Sequence, residues 1–273
     1  LRQQGVDDAH IIHIDLEDRR NKALRDPDNL LAYIDGKMVD DSMYYIMVDE
    51  IQHVVEFEDV LNSYLKIMNA DVYVTGSNAR FLSKDVITTF RGRGDEIKVY
   101  PLCFREFMTA FDGTKERGLE EYLIYGGMPQ TLEYTNATKK TEYLKALFTN
   151  TYIRDIKERY NIRNDELMDN LLDVISSSIG SLTNPTKLAN TLQSVRHENV
   201  GNKIVSTYLE YICDSFLAER VSRYDVKGKS YFDTPYKYYF VDMGLRNARL
   251  NFRQSEPTHM MENIISVSYT HLR

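Results

Sequence analysis

Three short apolar runs dominate the first third of the sequence, and each stops abruptly at polar residues. They are HIIHIDLED at 10–18, YYIMVDE at 44–50 and DVYVTGSN at 71–78. Apolar runs of this length, bounded by acids or turn-forming residues, predict buried strands. The segments between them have helical length. Residues 26–40 open with DPDN, where Asp26 or Asp28 can cap a helix. Residues 56–69 carry Val60, Leu61, Tyr64, Leu65 and Met68 at helical spacing. EIKVYPL (96–102) predicts a fourth strand closed by Pro101, and CFREFMTAF (103–111) a short helix. Strand alternating with helix predicts an α/β fold whose parallel sheet is covered by helices.

After residue 115 the pattern changes. Residues 119–160 are helical in periodicity, interrupted by the turn YGGMP at 125–129. Three more amphipathic helices are predicted over 166–179, 184–194 and 201–218. Residues 219–242 then alternate as a hairpin does, with turn residues at Gly228. Three helices followed by a two-stranded ribbon is the outline of a winged helix.

A parallel α/β sheet places its ligands at the carboxyl ends of its strands. Asp49 and Glu50 sit side by side at such an end, and two adjacent carboxylates call for a cation to offset their repulsion. A magnesium ion carrying nucleotide phosphates answers that need. Asp49 would hold Mg²⁺ through water and Glu50 would polarise the attacking water. The same residues also fit a strand that leaves through a solvated polar turn. The following run ends in Thr75, Ser77 and Asn78, small hydrogen-bonding groups at the same sheet edge. FRGRGDEI (90–97) then brings Arg91 and Arg93, placed to reach a phosphate or to form an ordinary basic loop. His10, His13, His53, His197 and His259 are scattered without metal-ligand spacing.

IMVDEIQ, VTGSNA, RGRGDEIKVYPLCFREF, YGGMPQ, RYDVKGK and KYYFVDMGLRN, in this order, resemble bacterial and archaeal ATP-binding proteins of the AAA class. In those proteins an AAA-type ATPase precedes a conserved domain of unknown function. The resemblance covers residues 1 to about 265. It implies a P-loop NTPase sheet lacking its first strand, followed by a helical lid and a winged-helix domain. It implies ATP and Mg²⁺ as cofactors. Asp49 becomes the magnesium residue, Glu50 the catalytic base, Ser77 and Asn78 the polar sensor, and Arg93 the arginine of the family's GR element. The implied divisions are 1–115 for the ATPase core, 116–165 for the lid and 166–243 for the winged helix. Residues 244–266 resemble the start of a nuclease-like domain, with Glu262 matching its first helical acid. The glycine-rich loop ending in Gly-Lys-Ser/Thr does not occur in this sequence. Residues 1–20 match the region just after that loop, so the chain reads as cut upstream and is expected to fold poorly and not to hydrolyse ATP alone. VSYTHLR, Val267 to Arg273, reads as a sequencing-adapter artefact.

Composition narrows the partners. The net charge is −7, which disfavours a broadly basic nucleic-acid coat but allows a local patch. Lys203, Arg220, Arg223, Lys227 and Lys229 cluster around the predicted ribbon and could meet DNA phosphates; the alternative is a protein-contact module. The tyrosines of YKYYFVD (236–242) fit cross-strand packing. No apolar run approaches the roughly 18 residues of a membrane span. Cys103 and Cys213, far apart in apolar surroundings, fit buried thiols in a reducing cytoplasm. The expected partners are ATP, a homo-oligomer or protein partner, and DNA through the winged helix. Rival readings are a nucleotide-gated DNA- or protein-binding regulator, and a DNA-processing enzyme whose nuclease domain is truncated.

Overall fold

A computed structural model of the chain describes residues 1–76, 94–196, 200–222, 235–253 and 257–270. The chain divides into two compact units, Leu1–Ile97 and Lys98–Arg273.

In the first unit, β1 (Ile11–Asp15), β2 (Tyr44–Asp49) and β3 (Ala70–Val74) form a parallel sheet in the order β1-β2-β3. The register pairs Ile12 with Ile46, Ile14 with Val48 and Asp15 with Asp49, so the acidic ends of two strands lie level. Helix α1 (Pro27–Asp35) starts where the Asp26 carboxylate accepts from the Asn29 amide at 3.0 Å, with Pro27 preset for the first turn. Helix α2 (Phe57–Tyr64) presents Val60, Leu61 and Tyr64 at helical spacing to the core. These side chains join Leu30, Ile34, Ile12, Ile14, Ile46 and Val48 in one apolar cluster.

Burial alternates along β1 and β2 instead of covering both faces. The face bearing Ile12, Ile14, Ile46 and Val48 is sealed, while His13 and Tyr73 on the strands stay exposed. Both α1 and α2 contribute to that single sealed cluster, which leaves the second face less covered than the apolar runs predict. The predicted fourth strand does not form: residues 96–102 belong to no ladder, and Val99 is 92% exposed. A strand exists through a ladder of hydrogen bonds to a neighbour, and none of the described strands pairs with this run, although Leu102 N–H donates to Gly127 O at 2.8 Å.

The second unit is mainly helical. Helices α3 (Phe104–Ala110), α4 (Lys115–Tyr125) and α5 (Gln130–Glu133) lead to α6 (Ala137–Ala146), a π-helical stretch at Leu147–Ile153 and α7 (Arg154–Tyr160). Helices α8 (Asp165–Ser177), α9 (Pro185–Arg196) and α10 (Asn202–Asp214) follow, near the predicted positions. Strand β4 (Ala218–Val221) then pairs antiparallel with β5 (Lys237–Phe240). A one-residue bridge, Thr183 to Tyr236, places the α8–α9 connection beside β5. Helices α11 (Met243–Arg249) and α12 (Pro257–Thr270) complete the described chain. The core runs from Phe107 and Tyr122 through Leu167, Leu171 and Leu192 to Leu209, Phe240 and Leu245. Among the described residues no helix is long and apolar enough to cross a membrane.

Candidate functional site

The carboxyl edge of the first unit's sheet gathers the predicted acids. Asp49 ends β2 and is half-buried. The Thr75 hydroxyl, just beyond β3, donates to Asp49 Oδ1 and accepts from the Glu50 amide at 3.2 Å. Backbone bonds tie the same two strand ends: Thr75 N–H to Val48 O at 3.0 Å and Ile51 N–H to Thr75 O at 3.1 Å. The β2 and β3 ends therefore move as one piece.

Glu50 adopts left-handed backbone, φ 52° and ψ 47°. A non-glycine residue pays roughly 1 kcal/mol for that conformation. The turn takes the chain out of the strand and into a short 3₁₀ turn at Ile51–His53, while Ile51 anchors in the core. The Gln52 amide donates to Glu50 Oε2. Asp15 lies level with Asp49, but its carboxylate closes its own loop, accepting from Glu17 N–H at 2.8 Å and Asp18 N–H at 3.2 Å. His53 is exposed at the end of the 3₁₀ turn. Ser77, Asn78, Arg91 and Arg93 lie outside the described residues.

The donor set at this edge is hard oxygen: the Asp49 and Glu50 carboxylates and the Thr75 hydroxyl. Among the described residues no cluster of three or more His, Cys, Asp or Glu side chains forms a metal cage. One or two carboxylates beside a hydroxyl suit Mg²⁺, which keeps several waters and takes other ligands from phosphate.

A second strand-end carboxylate has a different setting. Asp242 follows β5, caps α11 and is buried. Its Oδ2 accepts from Gly127 N–H at 2.6 Å and its Oδ1 from Leu245 N–H at 2.9 Å. Burial pushes its pKa from 3.8 up to about 6, against the pull of amides at Gly127, Leu245 and Gly244. Gly126, at φ 72°, admits no side chain, because a Cβ there would collide with the Asp242 carboxylate. A Cβ on Gly244 would likewise strike the Tyr125 carbonyl. Asn247 donates to the Leu123 and Ile124 carbonyls, both at 2.9 Å. The buried Arg246 donates to Ser176 O at 2.9 Å and to Asn247 Oδ1 at 3.0 Å. YGG and VDMGLRN are thus two halves of one joint between α4 and α11.

The predicted cations are partly in view. Lys203 is exposed in the first turn of α10. Arg220, on β4, is exposed and stands over the Tyr236 ring at 4.8 Å. Arg223, Lys227 and Lys229 lie outside the described residues, as does His197. Glu262 on α12 accepts from Lys237 and from the Tyr239 hydroxyl at 2.7 Å, which fastens α12 to β5. Burial raises its pKa, and these two donors outweigh that, so it sits below the usual carboxylate range. Both described cysteines are free thiols, and burial pushes Cys213 up to about 12.

Residues 1–108 match the family model described as an AAA domain, and residues 116–256 match a domain of unknown function, DUF8612. The chain belongs to this AAA family with a C-terminal domain of unknown function. An uncharacterized protein of Haemophilus influenzae is 31% identical over 98% of the chain and 68% of its own length. An uncharacterized protein of Methanocaldococcus jannaschii is 26% identical over 93% of the chain and 59% of its own length. The chain therefore spans roughly three-fifths to two-thirds of these relatives.

The AAA family membership gives the fold as a P-loop-like α/β domain with a helical C-terminal part, and suggests a nucleotide-binding function. In this AAA chain, sequence reasoning found Asp49, Glu50 and Thr75 but not Gln52, whose signal is only its two-residue offset from Glu50. The motifs YGGMPQ and KYYFVDMGLRN do not by themselves reveal the Asp242 joint. The clue was present: adjacent glycines in a helix-ending turn mark a close backbone approach.

Proposed function

We propose that the full-length protein binds Mg·ATP at the carboxyl edge of the β1–β3 sheet and hydrolyses it. The observation that carries this reading is the Thr75 hydroxyl bridging Asp49 and the Glu50 amide, which presets two adjacent carboxylates at a strand end. Asp49 would hold Mg²⁺. Bound there, the ion supplies charge neutralisation for the phosphate oxygens. Glu50, in its left-handed turn at the strand end, accepts a proton from the attacking water. Gln52 donates to Glu50 Oε2 and so fixes that carboxylate's orientation. By family resemblance, Ser77 and Asn78 orient the water and Arg93 meets the phosphate.

Residues 116–165 serve as a helical lid and 166–243 as a winged helix in this reading. Hydrolysis is coupled to a conformational change on a macromolecular partner. The test is binding of a fluorescent ATP analogue to the full-length protein with and without Mg²⁺. Asp49→Asn is expected to abolish the gain that Mg²⁺ gives while leaving metal-free binding intact. An unchanged Mg²⁺ gain in that variant removes Asp49 from the site.

A further inference from the structure

The cations singled out in the sequence fall mostly within residues 220–229, yet the most unusual charge pattern comes earlier in the chain. Between Asp173 and Glu210 the sequence holds a single carboxylate, Glu198. Acids are far denser elsewhere, 41 in 273 residues. Helix α9 itself, PTKLANTLQSVR, has no acid at all.

The structure shows what this stretch builds. Helix α9 buries Leu188, Ala189 and Leu192 and exposes Thr186, Lys187, Asn190 and Gln193. The Asn184 carboxamide accepts from Lys187 N–H at 2.7 Å and sets the helix start. Asn202, at the start of α10, donates to Thr186 Oγ1 at 3.0 Å, so the second helix begins beside the exposed face of the first. Lys203 follows, also exposed. Asp173, near Lys187 at the rim of the adjoining groove, is bonded by Arg249 at 2.8 Å, which neutralises it. The result is a surface of amides, hydroxyls and two ammonium groups on two consecutive helices, followed by an antiparallel ribbon.

We propose that this face of α9 and the start of α10 is a binding surface for duplex DNA. The chemistry is complementary. Phosphate oxygens accept from lysine and from neutral side-chain donors such as Asn, Gln and Thr. A chain of net charge −7 repels a polyanion over most of its surface, so a stretch stripped of carboxylates is where a polyanion can approach. The order of elements suits a duplex: the second helix of a helix-turn-helix pair lies along a groove while the first crosses the backbone. The surface shares only Lys203 with the ribbon cluster and adds Lys187 and the uncharged donors of α9. It does not rest on the nucleotide reading, and the test omits ATP.

The test is fluorescence anisotropy of the full chain with a labelled duplex of about 30 base pairs, from about 50 to about 200 mM salt. Wild-type affinity is expected to fall steeply with salt. Lys187→Gln combined with Lys203→Gln is expected to weaken binding about tenfold at the low-salt end and to reduce the log–log slope by about 1.8, at roughly 0.9 per phosphate contact. Lys145→Gln, on α6, is expected to change neither. Any of three results overturns the proposal: no salt-dependent duplex binding, a double variant with wild-type slope and affinity, or equal competition by an acidic polypeptide.

Discussion

Asp49 and Asp242 are introduced by nearly the same words, YYIMVD and YYFVD, and they do opposite work. Both follow a short apolar strand with paired tyrosines. Asp49 lies half-buried at the end of a parallel strand, beside another acid, and takes a hydroxyl hydrogen bond. Asp242 is buried after an antiparallel strand, and backbone N–H groups converge on it from the turn at Gly127 and the start of α11. The difference lies in the donors. A carboxylate ringed by fixed amides is already satisfied and serves as a clasp. A carboxylate at a sheet edge, next to a second one, has reason to take a cation.

The largest expected effect is on stability. Asp242→Ala leaves several buried N–H groups without an acceptor and should cost about 3–5 kcal/mol in urea unfolding. Asp49→Ala should cost about 1 kcal/mol or less, since it loses one hydroxyl bond. Equal costs would erase the distinction between clasp and site.

A pH series sharpens it. The Asp242 pKa is raised from 3.8 to about 6 on folding. The folded state therefore binds this proton more tightly than the unfolded state. That stabilisation is fully present below about pH 4 and is lost as pH rises through about 6, on the order of 3 kcal/mol in all. Asp242→Asn should flatten this part of the stability profile, whereas Asp49→Asn should leave it in place.

Next in size is a pair of glycines. Gly126→Ala combines a left-handed backbone with a collision against Asp242 and should cost about 2–3 kcal/mol by thermal unfolding. Gly5→Ala, at φ 84° with nothing within 4 Å, should cost only about 1 kcal/mol. A similarly small stability change is expected for Thr75→Val, about 1 kcal/mol, because a near-isosteric residue replaces one hydroxyl. Its signature lies in the site: with Asp49 and the Glu50 turn no longer joined, turnover by the full-length protein should fall while nucleotide affinity holds.

The same comparison explains what the sequence could reveal. The order of strands and helices is a local signal, carried by Ile12, Ile14, Ile46, Val48 and the helical spacing of Val60, Leu61 and Tyr64. It was therefore legible, as was the acid pair at the end of β2. Pairing partners are not local, which is why EIKVYPL reads as a strand yet forms no ladder, and why the Thr183–Tyr236 bridge is invisible in one residue's identity. The Asp242 joint spans over a hundred residues, from Gly127 to Asp242, and only the folded chain brings its halves together. The Glu50 turn is hidden for a related reason: nothing in the letters DEIQ signals a positive φ.

The central claim is that Glu50 acts on water while its neighbour holds the metal. The most direct measurement is steady-state ATP hydrolysis by the full-length protein beside its Glu50→Gln variant, with nucleotide binding followed in parallel. The account predicts that the variant keeps its ATP affinity and loses turnover by about 100-fold or more. Wild-type turnover in Glu50→Gln would contradict it.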